Sequence, residues 1–204
     1  MKKAKKVLLL ALCAVLLVGA TIAGTVAYLT STTTEVKNTF TAGNVTITLD
    51  EAKVDEYGVE IANAGRVAAN EYKLLPGHTY TKDPIIHIKG GSEVCYLFVK
   101  VTNELSAIES AAKIHDQILA NGWVVVDAGN GIYGKEIPLD ARTVATDKYL
   151  DVAVFGALNI ADNANVSAYV GKTVIVQACA IQADGFANMN AAWTTGLNST
   201  FPTK

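Results

Sequence analysis

Three histidines, His78, His87 and His115, are the side chains best suited to acid–base or metal chemistry near neutral pH. His78 and His87 stand on either side of Asp83-Pro84, close enough in sequence to share a sheet neighbourhood. A zinc centre needs three or four ligands, each held by a further hydrogen bond, and neither HExxH nor a paired-cysteine spacing occurs. His115 falls on an apolar helical stripe, where a packed, hydrogen-bonded histidine is the expectation. Asp127 with Asn130, and Asp162-Asn163-Ala164-Asn165, form oxygen-rich loops that lack the spacing and distal Glu of an EF-hand, so they read as turns. No GxSxG or P-loop is present, and no serine has a histidine at a readable spacing. The sequence therefore nominates no catalytic, metal or cofactor residue, and the expectation is a protein that is not an enzyme.

The cysteines say little more. Cys13 lies in an N-terminal apolar run, leaving Cys95 and Cys179 and one pairing. Both fall in strand-like runs. Two separate thiols is one reading and a cross-strand disulfide the other. Cys95 shares a face with Leu97, Val99 and Val101, which looks like the core side.

Lys2, Lys3, Lys5 and Lys6 precede Val7–Val18, an apolar run without charge, and Thr25-Val26-Ala27 offers the small residues that a signal peptidase requires. Residues 1–27 are expected to be a signal peptide cut between Ala27 and Tyr28, with the uncut run as a membrane anchor the alternative. The protein is thus expected outside the cell, touching the membrane only during export. The chain has 204 residues, 17 basic and 19 acidic, a net charge of −2, and 50% apolar content. Four of the bases leave with the signal, so no basic stripe remains for nucleic acid, and the apolar content is too high for disorder.

Beyond the signal, period 2 dominates. Asn44–Leu49 alternates, with Val45, Ile47 and Leu49 on one face. Further extended runs are expected at Glu71–Leu75, Ile85–Lys89, Val94–Thr102, Trp123–Val126, Ile132–Ile137, Leu150–Leu158 and Thr173–Ala183, with Gly129-Asn130-Gly131 as a hairpin connection. Ser106-Ala107-Ile108-Glu109 reads as a capping box opening a helix that runs to about Asn121-Gly122. Its apolar stripe is Ile108, Ala111, Ala112, His115, Ile118 and Leu119. A second short helix is expected over Phe186–Trp193, capped by Asp184. The fold class is all-β: an antiparallel, jelly-roll-like β-sandwich over residues 44–204 with one or two short inserted helices.

Residues 28–43 form an arm ahead of this domain. It is rich in threonine and carries Leu29, Val36 and Phe40 as apolar anchors. Such a segment can add as a strand to an exposed edge of another sheet, or fold onto its own domain, or stay disordered.

The stretch Gly24–Asp50, with its small-x-Ala-aromatic junction, Asn38-Thr39-Phe40-Thr41-Ala42-Gly43 and the alternating strand after it, resembles the TasA/camelysin family of Firmicute proteins exported through the peptidase SipW. Leu74-Leu75-Pro76-Gly77, Asp83-Pro84, Tyr96–Val101 and Gln182–Phe186 are similar to segments in the same order in that family. The aromatic is Tyr28 where Phe is common, and Ser31 stands where Asp is frequent. The resemblance implies a jelly-roll subunit of extracellular matrix or biofilm fibres, in which one subunit's arm completes the next subunit's sheet. Its partners would be further copies of itself, related matrix proteins and a SipW-like signal peptidase. The same resemblance carries an alternative, since camelysin is described as a surface metalloendopeptidase. A monomeric surface or carbohydrate-binding module is the third reading.

Overall fold

The computed structural model describes residues 5–6, 44–137 and 143–202. Apart from Lys5 and Lys6, the signal segment, with Thr25, Ala27 and the following Tyr28, and the arm anchors Leu29, Val36 and Phe40 lie outside the described residues.

Among the described residues nine strands follow one another: β1 (Ile47–Asp50), β2 (Thr79–Thr81), β3 (Ile85–Lys89), β4 (Cys95–Asn103), β5 (Val124–Asp127), β6 (Ile132–Glu136), β7 (Tyr149–Ala153), β8 (Ala157–Asn159) and β9 (Val174–Gln182). They pair in three sheets, ordered β1-β3-β7, β2-β8 and β5-β6-β4-β9. Every pairing of these strands is antiparallel. The protein is thus mostly antiparallel β-structure with short helices, as expected.

Alternation places the core. Ile86 and Ile88 of β3 and Val152 of β7 point inward from the first sheet, and Cys95, Leu97, Val99 and Val101 of β4 point inward from the four-stranded one. These side chains share one cluster with Tyr80, Leu158, Ile118 and Trp123. The four-stranded sheet is buried on its other face as well. There Tyr96, Phe98 and Ile132 pack against Ala192, Trp193 and Phe201 of the C-terminal segment. This explains why Tyr96–Val99 is a continuous apolar run: a strand covered on both faces has no polar side to alternate with. The three-stranded sheet keeps a polar outer face, bearing Thr48, Asp50, His87, Lys89 and Asp151.

The predicted hairpin at Gly129–Gly131 is present between β5 and β6. Four expectations need correction. The run Leu150–Leu158 is two strands in two sheets, because Val154 and Phe155 are both buried and break the alternation where the chain crosses over. Glu71–Leu75 joins no sheet. It is held instead by the Tyr80 hydroxyl, which donates to the Lys73 carbonyl (2.6 Å) and accepts from the Leu75 N–H (2.7 Å).

The capping box does not form. Only a single 3₁₀ turn covers Ser106–Ile108, and Glu109 is extended. The Glu109 carboxylate instead receives the Ile114 N–H (2.9 Å) and the Asn103 amide (2.9 Å), so helix α1 spans Ile114–Ala120. Its buried residues are Ile114 and Ile118, whereas Leu119 of the expected stripe is 39% exposed. The second helix starts later than expected: α2 (Met189–Ala191) is capped by the Asn188 side chain, not Asp184, and continues into a wide turn, Ala192–Gly196, that buries Trp193.

Cys95 and Cys179 are free thiols. They sit on paired strands, but Cys95 lies opposite Gln182 and Cys179 opposite Phe98, an odd offset that sends them to opposite faces. The disulfide reading fails on this parity. Burial pushes the Cys95 thiol up to about 11 and the Cys179 thiol up to about 12, so both are protonated at neutral pH.

Candidate functional site

Among the described residues, β1 and β9 each end a sheet. In β1, register with β3 turns the backbone groups of Thr48 and Asp50 toward β3, leaving those of Ile47 and Leu49 facing outward. In β9, register with β4 leaves the backbone groups of Val174, Val176, Ala178 and Ala180 facing away from the sheet. Among the described residues none of these six N–H groups has a backbone partner. Beyond Leu49, β1 is covered on that side by a single bridge between Glu51 and Val67.

The side chains at these edges are half-buried. Val45, Ile47 and Leu49 from one layer, and Val174, Val176, Ala178 and Ala180 from the other, pack against the core cluster without being sealed by it. A cleft of about 830 Å³ opens here, lined by Leu49, Tyr72, Leu74, Tyr169, Val174 and Val176 among others. Ile175 and Val170 at its rim are 49% and 78% exposed.

One wall carries charge. Lys82 Nζ lies 2.7 Å from Glu51 Oε2, with both side chains largely buried (11% and 7% exposed). Asn70 donates to the same carboxylate (3.0 Å) and to the Ala52 carbonyl (2.8 Å). Tyr72 donates to the Thr81 carbonyl (3.2 Å), and burial together with the nearby Glu51 charge raises its hydroxyl well above the ordinary tyrosine range. These bonds tie the irregular segment 68–74 to Glu51, Ala52 and Thr81.

Asp50, which lines the cleft, also belongs to a charged network on the outer face of its sheet. It accepts from Arg66 Nε and from His87 Nε2 (2.9 Å), while His87 Nδ1 lies 2.6 Å from Asp151. Arg66 reaches Asp83 as well (3.0 Å). Burial works against the charged form of Asp50, but the bonds from His87 and Arg66 outweigh it and hold the carboxyl below its usual value.

The three histidines are dispersed. His78 Nε2 contacts the Tyr57 carbonyl (2.7 Å), and His115 is exposed with Nδ1 on the Tyr133 hydroxyl (2.8 Å). Among the described residues no three His, Cys, Asp or Glu side chains gather closely enough to hold a metal ion. Asp127 receives both the backbone and side-chain N–H groups of Asn130 (3.1 and 2.7 Å), the turn chemistry expected of that loop.

No protein-family model, curated protein or solved structure matches the chain. The site is therefore argued from its own geometry. The sequence pointed to the inward face of β1 through Val45, Ile47 and Leu49. It did not point to the cleft, because an unpaired edge is a property of strand order, and the sequence carries no local sign of which strands end up at the edges.

Proposed function

We propose that this chain is a secreted structural subunit of the cell surface or biofilm matrix, assembling by strand addition. The observation that carries this reading is the half-open core between β1 and β9, two edges unpaired among the described residues. The occupant is the arm, residues 28–43, of a second copy. Its β-branched threonines favour extended backbone, and Leu29, Val36 and Phe40 supply apolar groups to meet Leu49, Val174 and Val176. Each main-chain bond gained at an open edge contributes about 1 kcal/mol net, which the cost of ordering the arm largely offsets. Burial of the anchors, at about 1.5–3 kcal/mol each, then drives association. The resemblance to TasA/camelysin proteins supports the same reading and, with it, a jelly-roll arrangement of the sandwich and processing after Ala27 by a SipW-like peptidase. Export would then couple release of Tyr28 as a new terminus to assembly outside the cell.

Two variants test this by light scattering. Deleting Tyr28–Thr39 removes the donor, and Val176→Lys places a charge on the acceptor edge. Both are expected to yield folded monomers under conditions where the unaltered protein assembles. Assembly of the deletion variant at the unaltered rate would overturn the reading. Unfolding of that variant would make residues 28–39 an internal strand of their own domain and would overturn it equally.

A further inference from the structure

We propose that His87 is a pH-sensitive clasp on the three-stranded sheet, holding the open edge strand β1 to β3 and β7 while its imidazole carries both ring protons. The geometry demands the second proton. His87 Nδ1 lies 2.6 Å from Asp151 Oδ1 and Nε2 lies 2.9 Å from Asp50 Oδ1. An ionised carboxylate only accepts, and a neutral imidazole has one N–H to give, so both contacts are hydrogen bonds only in the imidazolium form. Strand register makes this a bridge across the whole sheet. Asp151 of β7 lies directly opposite His87 on β3, and Asp50 sits on β1 two residues beyond Thr48, the residue opposite His87 on that side.

The surroundings favour the charged ring. Facing it are Asp50 from β1, and Asp151 and Tyr149 from β7, the Tyr149 ring centred 6.1 Å away. Lys89 lies two residues along on the same face of β3, and Arg66 stands behind Asp50, shared between it and Asp83. Arg66 neutralises Asp50 whatever the state of the histidine. Among the described residues Asp151 has only His87 as a partner. Partial burial of the ring disfavours its charge, but the bonds and charges of Asp50 and Asp151 outweigh this and raise it above its ordinary 6.5.

The sign of the pH dependence follows. A histidine raised on folding contributes stability that is complete below about 6.5 and is lost as pH rises through the raised value. Asp50 is depressed, so its share is present above about 3.8 and is lost as pH falls through its lowered value. The clasp is therefore fully engaged between these limits. Loss of a ring proton on the alkaline side leaves a nitrogen lone pair facing a carboxylate, which loosens β1 or β7.

The clasp itself stands on this geometry alone, whereas its effect on assembly rests on the strand-addition reading. The test is an NMR titration of His87 and a urea unfolding series from pH 5 to 9, on the full chain under dilute conditions. His87→Gln and Asp151→Asn are measured beside it. The expected results are a His87 midpoint above 6.5, a downward shift of that midpoint in Asp151→Asn, and a folding constant that falls with rising pH by at most about tenfold per pH unit. That fall should be absent from His87→Gln over the span where His87 titrates. A His87 midpoint at or below 6.5, or the same pH slope with and without His87, would overturn the clasp. If His87→Gln does not fold, the midpoint shift in Asp151→Asn decides. A clasp that titrates as expected while assembly runs at the same rate on both sides of the midpoint would keep the clasp and remove β1 as the acceptor edge.

Discussion

At the scale of single residues, the Lys82–Glu51 pair is the most consequential ion pair described. Both side chains are nearly withdrawn from water, and Asn70 occupies the second carboxylate oxygen. A buried pair is a modest source of stability when whole, but a large liability when halved. Lys82→Met should therefore cost about 3–5 kcal/mol in urea unfolding, because it strands the Glu51 charge in the cleft wall. Adding Glu51→Gln should recover most of that loss, since the amide still serves Asn70 and no charge is left unpaired. Equal losses in the single and double variants would mean that Lys82 matters through its ammonium over the Tyr72 ring, 5.9 Å from the centroid, rather than through its pairing with Glu51.

At the scale of elements, the β5–β6 hairpin illustrates what a turn signal can and cannot specify. Gly131 has φ +64°, and a Cβ there would meet the Val101 carbonyl oxygen at 2.4 Å. Gly131→Ala is thus expected to destabilise the protein by about 1–3 kcal/mol, measured by thermal unfolding, through backbone strain and the clash with β4. Here the sequence was legible, because Gly-Asn-Gly between two apolar runs encodes its own geometry. β1, β3, β4, β6 and β9 were legible for the same kind of reason, with local alternation or apolar runs bounded by turn residues. Glu109 was misread because one carboxylate can serve either of two N–H groups. Its neighbour in sequence order suggested a capping box, but burial beside Asn103 directed it to Ile114. The break of Leu150–Leu158 into β7 and β8 was hidden in a period-2 run, since only the adjacent burial of Val154 and Phe155 reveals the crossover. The clasp was also hidden. Asp50, His87 and Asp151 are far apart in sequence and meet only through the register of three strands.

At the scale of the whole molecule, the sheets share one core, the C-terminal segment packs on the outer face of the four-stranded sheet, and nothing among the described residues seals the core between β1 and β9. The outer face of the four-stranded sheet is covered by Ala192, Trp193 and Phe201, while a cleft lies between β1 and β9 among the described residues. Under the strand-addition proposal, the two edges left unpaired among the described residues are where a strand would be received. The central claim is that these edges are filled when copies associate. Hydrogen exchange, read residue by residue before and after assembly, addresses it most directly. The account predicts fast exchange at the Ile47, Leu49, Val174 and Val176 amides in the monomer. In the assembled state, protection should rise at one edge or the other, with Thr48 and Ile175, already bonded within their sheets, changing little. Assembly that leaves all four edge amides as exposed as in the monomer would contradict it.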